Sequence, residues 1–224
     1  MAKSKVHVSE FENHDMMMDP LEETRLKKRY HGLAIQLTDT THFCLAEVEG
    51  LLLIYYKLTR NGPMDRTRFR EVLHTTFDMT DDSLMDRIFI VWDRKNSGLI
   101  NMDDWVIGLS VFLRGTLDEK IDYVFKVYDY LGDKSLSYET LYFYTIKSLI
   151  RLPSDEDLDE GVRDLADLIL KKMISSEGRV TLESFQATVR RLPLMLECLG
   201  NCIPCRMALY AFLNTFTLDP KLPD

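Results

Sequence analysis

The chain has 224 residues, of which 46% are hydrophobic and 29% are charged, a balance typical of globular domains and unlike that of disordered or fibrous chains. Its formal net charge of -8 argues against binding to nucleic acid or to anionic membranes, because phosphate groups require a surplus of Lys and Arg. A basic target helix or a cation is the expected partner. The longest apolar run, residues 51–56, is far shorter than the roughly 20 residues that span a bilayer, so we expect a cytoplasmic location.

The first segment, residues 1–24, shows no sustained hydrophobic period and is predicted to be a mobile N-terminal arm. Helical patterns dominate after it. They divide the chain into an N-terminal lobe (25–115), a C-terminal lobe (116–191) and a C-terminal helical extension (192–224).

Apolar residues recur along the chain at i, i+3, i+4 and i+7, which places them on one face of a helix. One such set returns 36 residues later: Met85, Ile88, Phe89 and Trp92, then Ile121, Val124, Phe125 and Tyr128. The same interval extends backward to Leu52, Leu53 and Tyr56, and a longer interval of 44 residues extends forward to Leu165, Leu168 and Ile169. A unit of helix, loop and helix is therefore predicted to occur four times.

Two helix starts and one helix end are readable from local sequence. Thr80 is the predicted N-cap of the helix that carries Met85. Thr116 and Glu119 have the spacing of a capping box for the next repeat, and Gly115 is predicted to end the helix before it.

Apolar residues also recur at equivalent positions in and after the four predicted loops. The first apolar residue after each loop is Phe69, Trp105, Leu141 or Phe185, and the eighth loop place holds Met64, Ile100, Leu136 or Val180. In EF-hand proteins the eighth residue forms a short strand that pairs two neighbouring loops. The prediction is an all-α, calmodulin-like EF-hand fold in two lobes, with units one and two paired and units three and four paired.

The loop at residues 93–104 comes nearest to a calcium site. An EF-hand loop needs oxygen ligands at places 1, 3, 5, 9 and 12, a carbonyl at 7, and Gly at 6. The candidate ligands here are Asp93, Ser97, Asn101 and Asp104. Lys95 occupies the third place, and Asp104 is one methylene shorter than the usual Glu. Calcium binding at this loop is therefore predicted to be weak or lost.

The other loops, 57–68, 129–140 and 173–184, depart further from the pattern. Their twelfth places hold Arg68, Thr140 and Ser184. One hypothesis is that built-in cations replace the metal, with Lys95 neutralising Asp93 and Asp104, Lys134 neutralising Asp129 and Asp133, and Arg68 neutralising Asp65. The alternative is that these basic side chains point into water.

The cysteines allow two interpretations. Cys198, Cys202 and Cys205 form a run that could bind zinc or anchor an iron-sulfur cluster, although no His lies nearby to complete a zinc site. Alternatively, they are small buried hydrophobes and surface thiols in a reducing compartment, as is expected of Cys44. The sequence contains no phosphate loop, nucleophile elbow or metalloprotease helix, so we do not expect an enzyme.

Several stretches resemble the calaxin family in order and spacing. They are residues 76–82, 85–89, 108–115, 153–157 and 170–173, within a similarity that covers roughly residues 25–200. The resemblance implies a protein of motile cilia and flagella that binds outer-arm dynein, its docking complex or other microtubule-associated proteins of the axoneme. Lys95, Leu131, Lys134, Thr140, Met173 and Ser184 depart from the family's calcium ligands. The sequence is thus interpreted as a diverged paralogue that acts as an adaptor, with a calcium sensor that uses loop 93–104 as the alternative.

Overall fold

The computed structural model describes residues 18–148, 158–174, 179–197, 199–217 and 220. The predicted all-α class is confirmed, since the described strands are only two residues long. In the described part of the chain no helix is both long and apolar enough to cross a membrane. The elements in chain order are α1 Pro20–Thr38, α2 Leu45–Leu58, α3 Arg66–Phe77, α4 Asp82–Trp92, α5 Met102–Arg114, α6 Leu117–Tyr128, β1 Ser135–Leu136, α7 Tyr138–Ser148, α8 Leu158–Met173, β2 Val180–Thr181, α9 Leu182–Arg191, a 3-10 helix Pro193–Leu196 and α10 Arg206–Leu213.

Helix α1 begins before the predicted end of the N-terminal arm. Asp19 caps it by accepting a hydrogen bond from the backbone N–H of Leu21 (3.1 Å). Pro20 follows in the first turn, where a helix needs no N–H from it. Residues 20–24 are therefore helical, whereas residues 1–17 lie outside the described chain. Helix α1 packs along α2 and also contacts α5.

Helices α2 to α9 form four helix-loop-helix units whose loops pair two by two. In the first pair the backbone N–H of Ile100 donates to the carbonyl of Met64 (2.9 Å). In the second pair β1 and β2 are antiparallel, with Leu136 opposite Val180. All four side chains are at most 1% exposed, so the eighth loop residue anchors each pair in the core. The predicted pairing is confirmed.

The repeated apolar faces form the core of these units. The predicted faces of α4 and α6 are buried, with no member more than 3% exposed. The first apolar residue after each loop is completely buried in all four units: Phe69, Trp105, Leu141 and Phe185. In α2 the predicted Leu52 is buried, while Leu53 and Tyr56 are half-buried.

The predicted face of α8 was wrong by one residue. Leu168 is 59% exposed, whereas Ala166, Leu170 and Met173 are buried. The side chains of Leu165 and Ile169 lie outside the described residues. These buried residues lie 45 positions after their counterparts in α6, although the loop and α9 keep the interval of 44. The fourth loop is therefore one residue shorter than the other three loops.

Most of the predicted helix boundaries hold, with one shift. Thr116 and Glu119 form the expected capping box, with Glu119 accepting from the Thr116 N–H at 2.7 Å. Gly115 is the C-cap of α5, as predicted. Helix α4 is capped by Asp81 instead of Thr80, because the Asp81 carboxylate accepts from the N–H groups of Ser83 and Leu84.

The segment after the fourth unit folds back onto the first pair of units. Helix α10 contacts α3 and α5. Phe212 packs against Phe77 with ring centroids 5.1 Å apart, and Phe216 packs edge-on against Phe43 at 6.2 Å. The Tyr128 hydroxyl donates to the Leu199 carbonyl (2.6 Å) and ties this segment to α6.

Candidate metal centre

The first half of loop 93–104 is organised by Asp93, which is buried at the end of α4. One carboxylate oxygen accepts from the Ser97 backbone N–H (2.8 Å) and lies 3.2 Å from the Ser97 hydroxyl. The other accepts from the Gly98 N–H (2.7 Å). These bonds fold the first half of the loop around the Asp93 carboxylate.

The second half of the loop contains a buried carboxylate with an unsatisfied oxygen. Asp104 is only 1% exposed, its Oδ2 lies 3.4 Å from the Asn101 amide nitrogen, and its Oδ1 has no hydrogen-bond partner among the described residues. Burial raises the pKa of Asp104, and the neighbouring Asp103 charge adds to the effect. The four predicted ligands are thus linked as two pairs, Asp93 with Ser97 and Asn101 with Asp104.

Lys95 forms its ion pair with a residue outside the predicted ligand set. Its ammonium lies 2.8 Å from Asp103 Oδ2, and its side chain is 59% exposed. Burial raises the pKa of Asp103, but the hydrogen bond and charge of Lys95 outweigh it, so the pKa is lowered. The expected pairing of Lys95 with Asp93 and Asp104 was wrong, because the long side chain turns to a carboxylate at the rim of the loop.

This donor set contains fewer carboxylates than a typical calcium sensor site. The loop offers the carboxylates of Asp93 and Asp104, two in place of the three or more that hold calcium tightly, and an ammonium stands at the third place. In the part of the chain that the structure describes, no group of three or more His, Cys, Asp and Glu side chains is arranged to hold a metal ion.

Loop 129–140 keeps the backbone turn of an EF-hand without its glycine. Lys134 adopts φ of 60°, in the left-handed region that the sixth place normally reserves for Gly. Its backbone N–H donates to Asp129 Oδ2 (3.1 Å), while its side chain is exposed. Asp133 pairs with Arg179 of the fourth unit (2.9 Å). The cation at this loop is therefore Arg179, and the predicted role of Lys134 was wrong.

Loop 57–68 does contain a built-in cation. The Arg68 guanidinium donates to the carbonyl oxygens of Leu58 (3.2 Å) and Gly62. Its backbone N–H donates to Asp65, which caps α3. Arg68 thus holds the loop through backbone carbonyls, and the predicted neutralisation of Asp65 by its guanidinium was wrong.

Replacing Arg68 with Met is expected to destabilise the protein by about 1 to 2 kcal/mol, because the two carbonyl groups lose charged hydrogen-bond donors. Urea unfolding measures the loss. Arg60 of the same loop is exposed, and Arg60→Met is the matched control with an expected change below about 0.5 kcal/mol. Equal stability of the Arg68 and Arg60 variants would contradict a structural role for the guanidinium.

The fourth loop lacks a ligand at its predicted start. Met173 is the last residue of α8 and is 1% exposed, so it cannot occupy the first place of a metal site. Thr181 caps α9 by accepting from the Ser184 N–H. Ser175, Glu177 and Gly178, which the sequence assigned to this loop, lie outside the described residues.

The cysteines differ in exposure. Cys44 and Cys205 are exposed, Cys202 is buried, and all three are free thiols. Burial raises the pKa of the Cys202 thiol to about 12, which opposes the thiolate form that zinc requires. Cys198 lies outside the described residues.

The sequence did not predict the ion-pair partners of Lys95 and Asp133. Asp103 and Arg179 are the residues that bind Lys95 and Asp133. No spacing rule identifies them, since one pair bridges the rim of a loop and the other joins two units. For loop 57–68, the Arg at the twelfth place did indicate a built-in cation. The sequence identified Arg68 correctly, but it predicted Asp65 as the acceptor instead of the backbone carbonyls.

The chain is similar in sequence to vertebrate calaxins over most of its length, although no protein-family model matches it. It is 44% identical to calaxin of Xenopus laevis over 180 residues, which cover 76% of this chain and 86% of that protein. It is 42% identical to calaxin of Homo sapiens over 199 residues, which cover 83% of this chain and 94% of that protein.

Similarity over a shorter stretch extends to a calcium-binding protein of another organism. The calcium-binding protein NCSA of Dictyostelium discoideum is 33% identical over 97 residues, which cover 43% of this chain and 52% of that protein. Together with the paired helix-loop-helix units, these identities show that the chain is an EF-hand protein and belongs to the calaxin family.

Proposed function

We propose that this protein is an adaptor or regulatory component of the ciliary or flagellar axoneme that binds outer-arm dynein or its docking machinery. Similarity to calaxin over more than three quarters of the chain supports this location and this class of partner. The proposed role is binding to other proteins, without enzymatic activity.

The contents of the four loops carry the proposal that calcium binding is weak or lost in this member of the family. No loop has Glu at the twelfth place, where Arg68, Asp104, Thr140 and Ser184 stand. Protein side chains stabilise two of the loops, since Arg68 holds loop 57–68 and Arg179 neutralises Asp133 of loop 129–140. A diverged paralogue of this kind keeps the scaffold for partners and needs no metal to maintain it.

One observation favours the alternative, a calcium sensor that uses loop 93–104. Asp104 places in this loop a buried oxygen that has no hydrogen-bond partner among the described residues. A buried carboxylate is normally paired or bound to a metal. Lys95 is turned to the rim and pairs with Asp103 instead of this oxygen.

Thermal melting with and without 1 mM calcium separates the two functions. Under the adaptor proposal the melting temperature of the wild-type protein is expected to change by less than about 2 °C. The variant Lys95→Asp with Asp104→Glu restores the ligands at places 3 and 12. At a calcium concentration of 100 times its Kd, it should gain about 2.7 kcal/mol, or roughly 5 to 11 °C.

A calcium-dependent rise of many degrees in the wild-type protein would contradict the adaptor proposal and support the sensor. Asp93→Ala would then have to abolish the rise, since Asp93 is the first ligand of the loop. Calorimetric titration of the same proteins measures the affinity directly.

Localisation of a tagged full-length protein in a ciliated cell tests the axonemal role. The expected result is a signal along the axoneme that remains after detergent removes the membrane and soluble proteins. A diffuse cytoplasmic signal would count against the axonemal assignment. Recovery of outer-arm dynein or its docking complex with the tagged protein is the matching biochemical result.

A further inference from the structure

The outer face of α1 has a charge opposite to that of the whole chain. With 3.6 residues per turn, Leu21, Arg25, Lys28, Gly32 and Ile35 fall in one stripe along the helix, roughly 21 Å long. All five are exposed, and the opposite face of α1 is the one that buries Leu26, Ala34 and Leu37. The stripe has apolar ends, 65% exposed at Leu21 and 47% exposed at Ile35, and a basic middle.

The two basic residues of this stripe are not used within the described fold. Arg25 and Lys28 form no ion pair with any residue that the structure describes, whereas Lys27, on the flank of the helix, pairs with Glu23 at 2.7 Å. Together they place two positive charges on one exposed helix face of a chain whose net charge is -8.

Gly32 lies in the middle of the stripe. A Cβ at this position would meet no atom of the described residues within 4 Å. Gly in a helix interior is less favourable than Ala, so a bare backbone here weakens α1 without improving internal packing. A missing side chain does, however, allow another chain to approach the helix closely.

We propose that the outer face of α1 docks an acidic segment of a partner protein, with Arg25 and Lys28 binding carboxylates and with Leu21 and Ile35 contacting apolar residues on either side. Charge complementarity selects the acidic partner. The narrow shape of the stripe fits a helix or an extended peptide, and the acidic remainder of the chain opposes a flat anionic membrane. Docking on the outer face of α1 also leaves α10 in place on α3 and α5.

This inference rests on the proposed role as a protein-binding adaptor, and its test uses purified protein. The probe is a fluorescein-labelled synthetic helical peptide of Leu-Glu-Glu-Glu repeats, whose binding to the full-length chain is followed by fluorescence anisotropy. The variant Arg25→Glu with Lys28→Glu is expected to weaken binding at least about tenfold, and added salt should weaken binding to the wild-type protein.

The matched control is Lys126→Glu with Lys171→Glu, which changes the net charge equally at two exposed lysines on α6 and α8. This control should bind within about twofold of the wild-type protein. Absence of peptide binding to the wild-type protein, or equal weakening in both double variants, would overturn the proposal. Melting curves of both variants must match that of the wild-type protein, and Arg25→Gln with Lys28→Gln replaces a charge-reversal variant that fails to fold.

Three other occupants of the face give different results. Binding to phosphatidylserine vesicles without binding to the peptide would assign the face to a membrane. Sedimentation that shows a dimer lost in the α1 variant would assign it to a second copy of this chain. Peptide binding only after removal of residues 1–17 would assign it to that segment. Each result overturns the proposal, while ciliary localisation independently tests the axonemal role.

Discussion

Replacing Gly108 with Ala is expected to lower the free energy of unfolding by about 3 kcal/mol, because the added methyl group has no room. A Cβ on Gly108 in α5 would overlap the indole ring of Trp92. Trp92 is 2% exposed and lies 4.9 Å from Phe112, 5.1 Å from Phe69 and 6.0 Å from Trp105 between ring centroids. The ring cannot move away without displacing these neighbours.

Urea unfolding followed by tryptophan fluorescence measures this loss, and the melting temperature should fall by about 6 to 12 °C. The matched control is Gly32→Ala in α1. No atom lies within 4 Å of a Cβ there, so this variant should gain about 0.5 to 1 kcal/mol from the higher helix propensity of Ala. Equal effects at the two glycines would contradict the packing explanation.

The apolar spacing predicted the buried faces of α4 and α6 correctly because a helix on a core must present an apolar stripe at intervals of 3.6 residues. The eighth loop residues were predicted for a similar reason. The eighth residue must be buried where two loops pair, as Met64 and Leu136 are. An apolar residue at the eighth place of each loop was therefore sufficient to identify them.

The face of α8 shows where this reasoning fails. Leu168 belongs to the apolar stripe that the repeat selected, whereas Leu170 and Met173 belong to the buried one. Both stripes satisfy the helical period, and the one-residue deletion in the fourth loop rotates the helix by about 100°. Only packing against the other helices decides between two such stripes.

The ion pairs of the candidate metal centre were harder to predict than its backbone. Sequence identified the loop 93–104 and its turn at Gly98, because the turn depends on residue type. It did not identify Asp103 as the partner of Lys95, because four rotatable bonds allow a lysine to reach several carboxylates.

Replacing Phe212 with Ala is expected to destabilise the protein by about 3 to 4 kcal/mol and to detach α10 from the first pair of units. Phe212 is 6% exposed and contacts Phe77 of α3 at 5.1 Å and Phe216 at 5.5 Å between ring centroids. Truncation removes the ring that joins these two residues.

Three measurements distinguish release of α10 from general unfolding. Trypsin should cleave after Arg206, the first residue of α10, faster in the variant than in the wild-type protein. Binding of the dye ANS should increase, because release uncovers the apolar side chains of α3 and α5. Far-ultraviolet circular dichroism should change little, since α10 has only 8 residues.

Met207→Ala provides the control, because Met207 lies on the same helix but is 78% exposed, and its truncation should cost less than about 0.5 kcal/mol. If Phe212→Ala were as stable as this control, α10 would contribute little to the fold, and its position on α3 and α5 would need another explanation. The expected loss instead means that the packing of α10 on α3 and α5 contributes to the stability of the fold. A partner that binds α3 and α5 must then displace α10, whereas a partner that binds the outer face of α1, as its charge favours, leaves α10 in place.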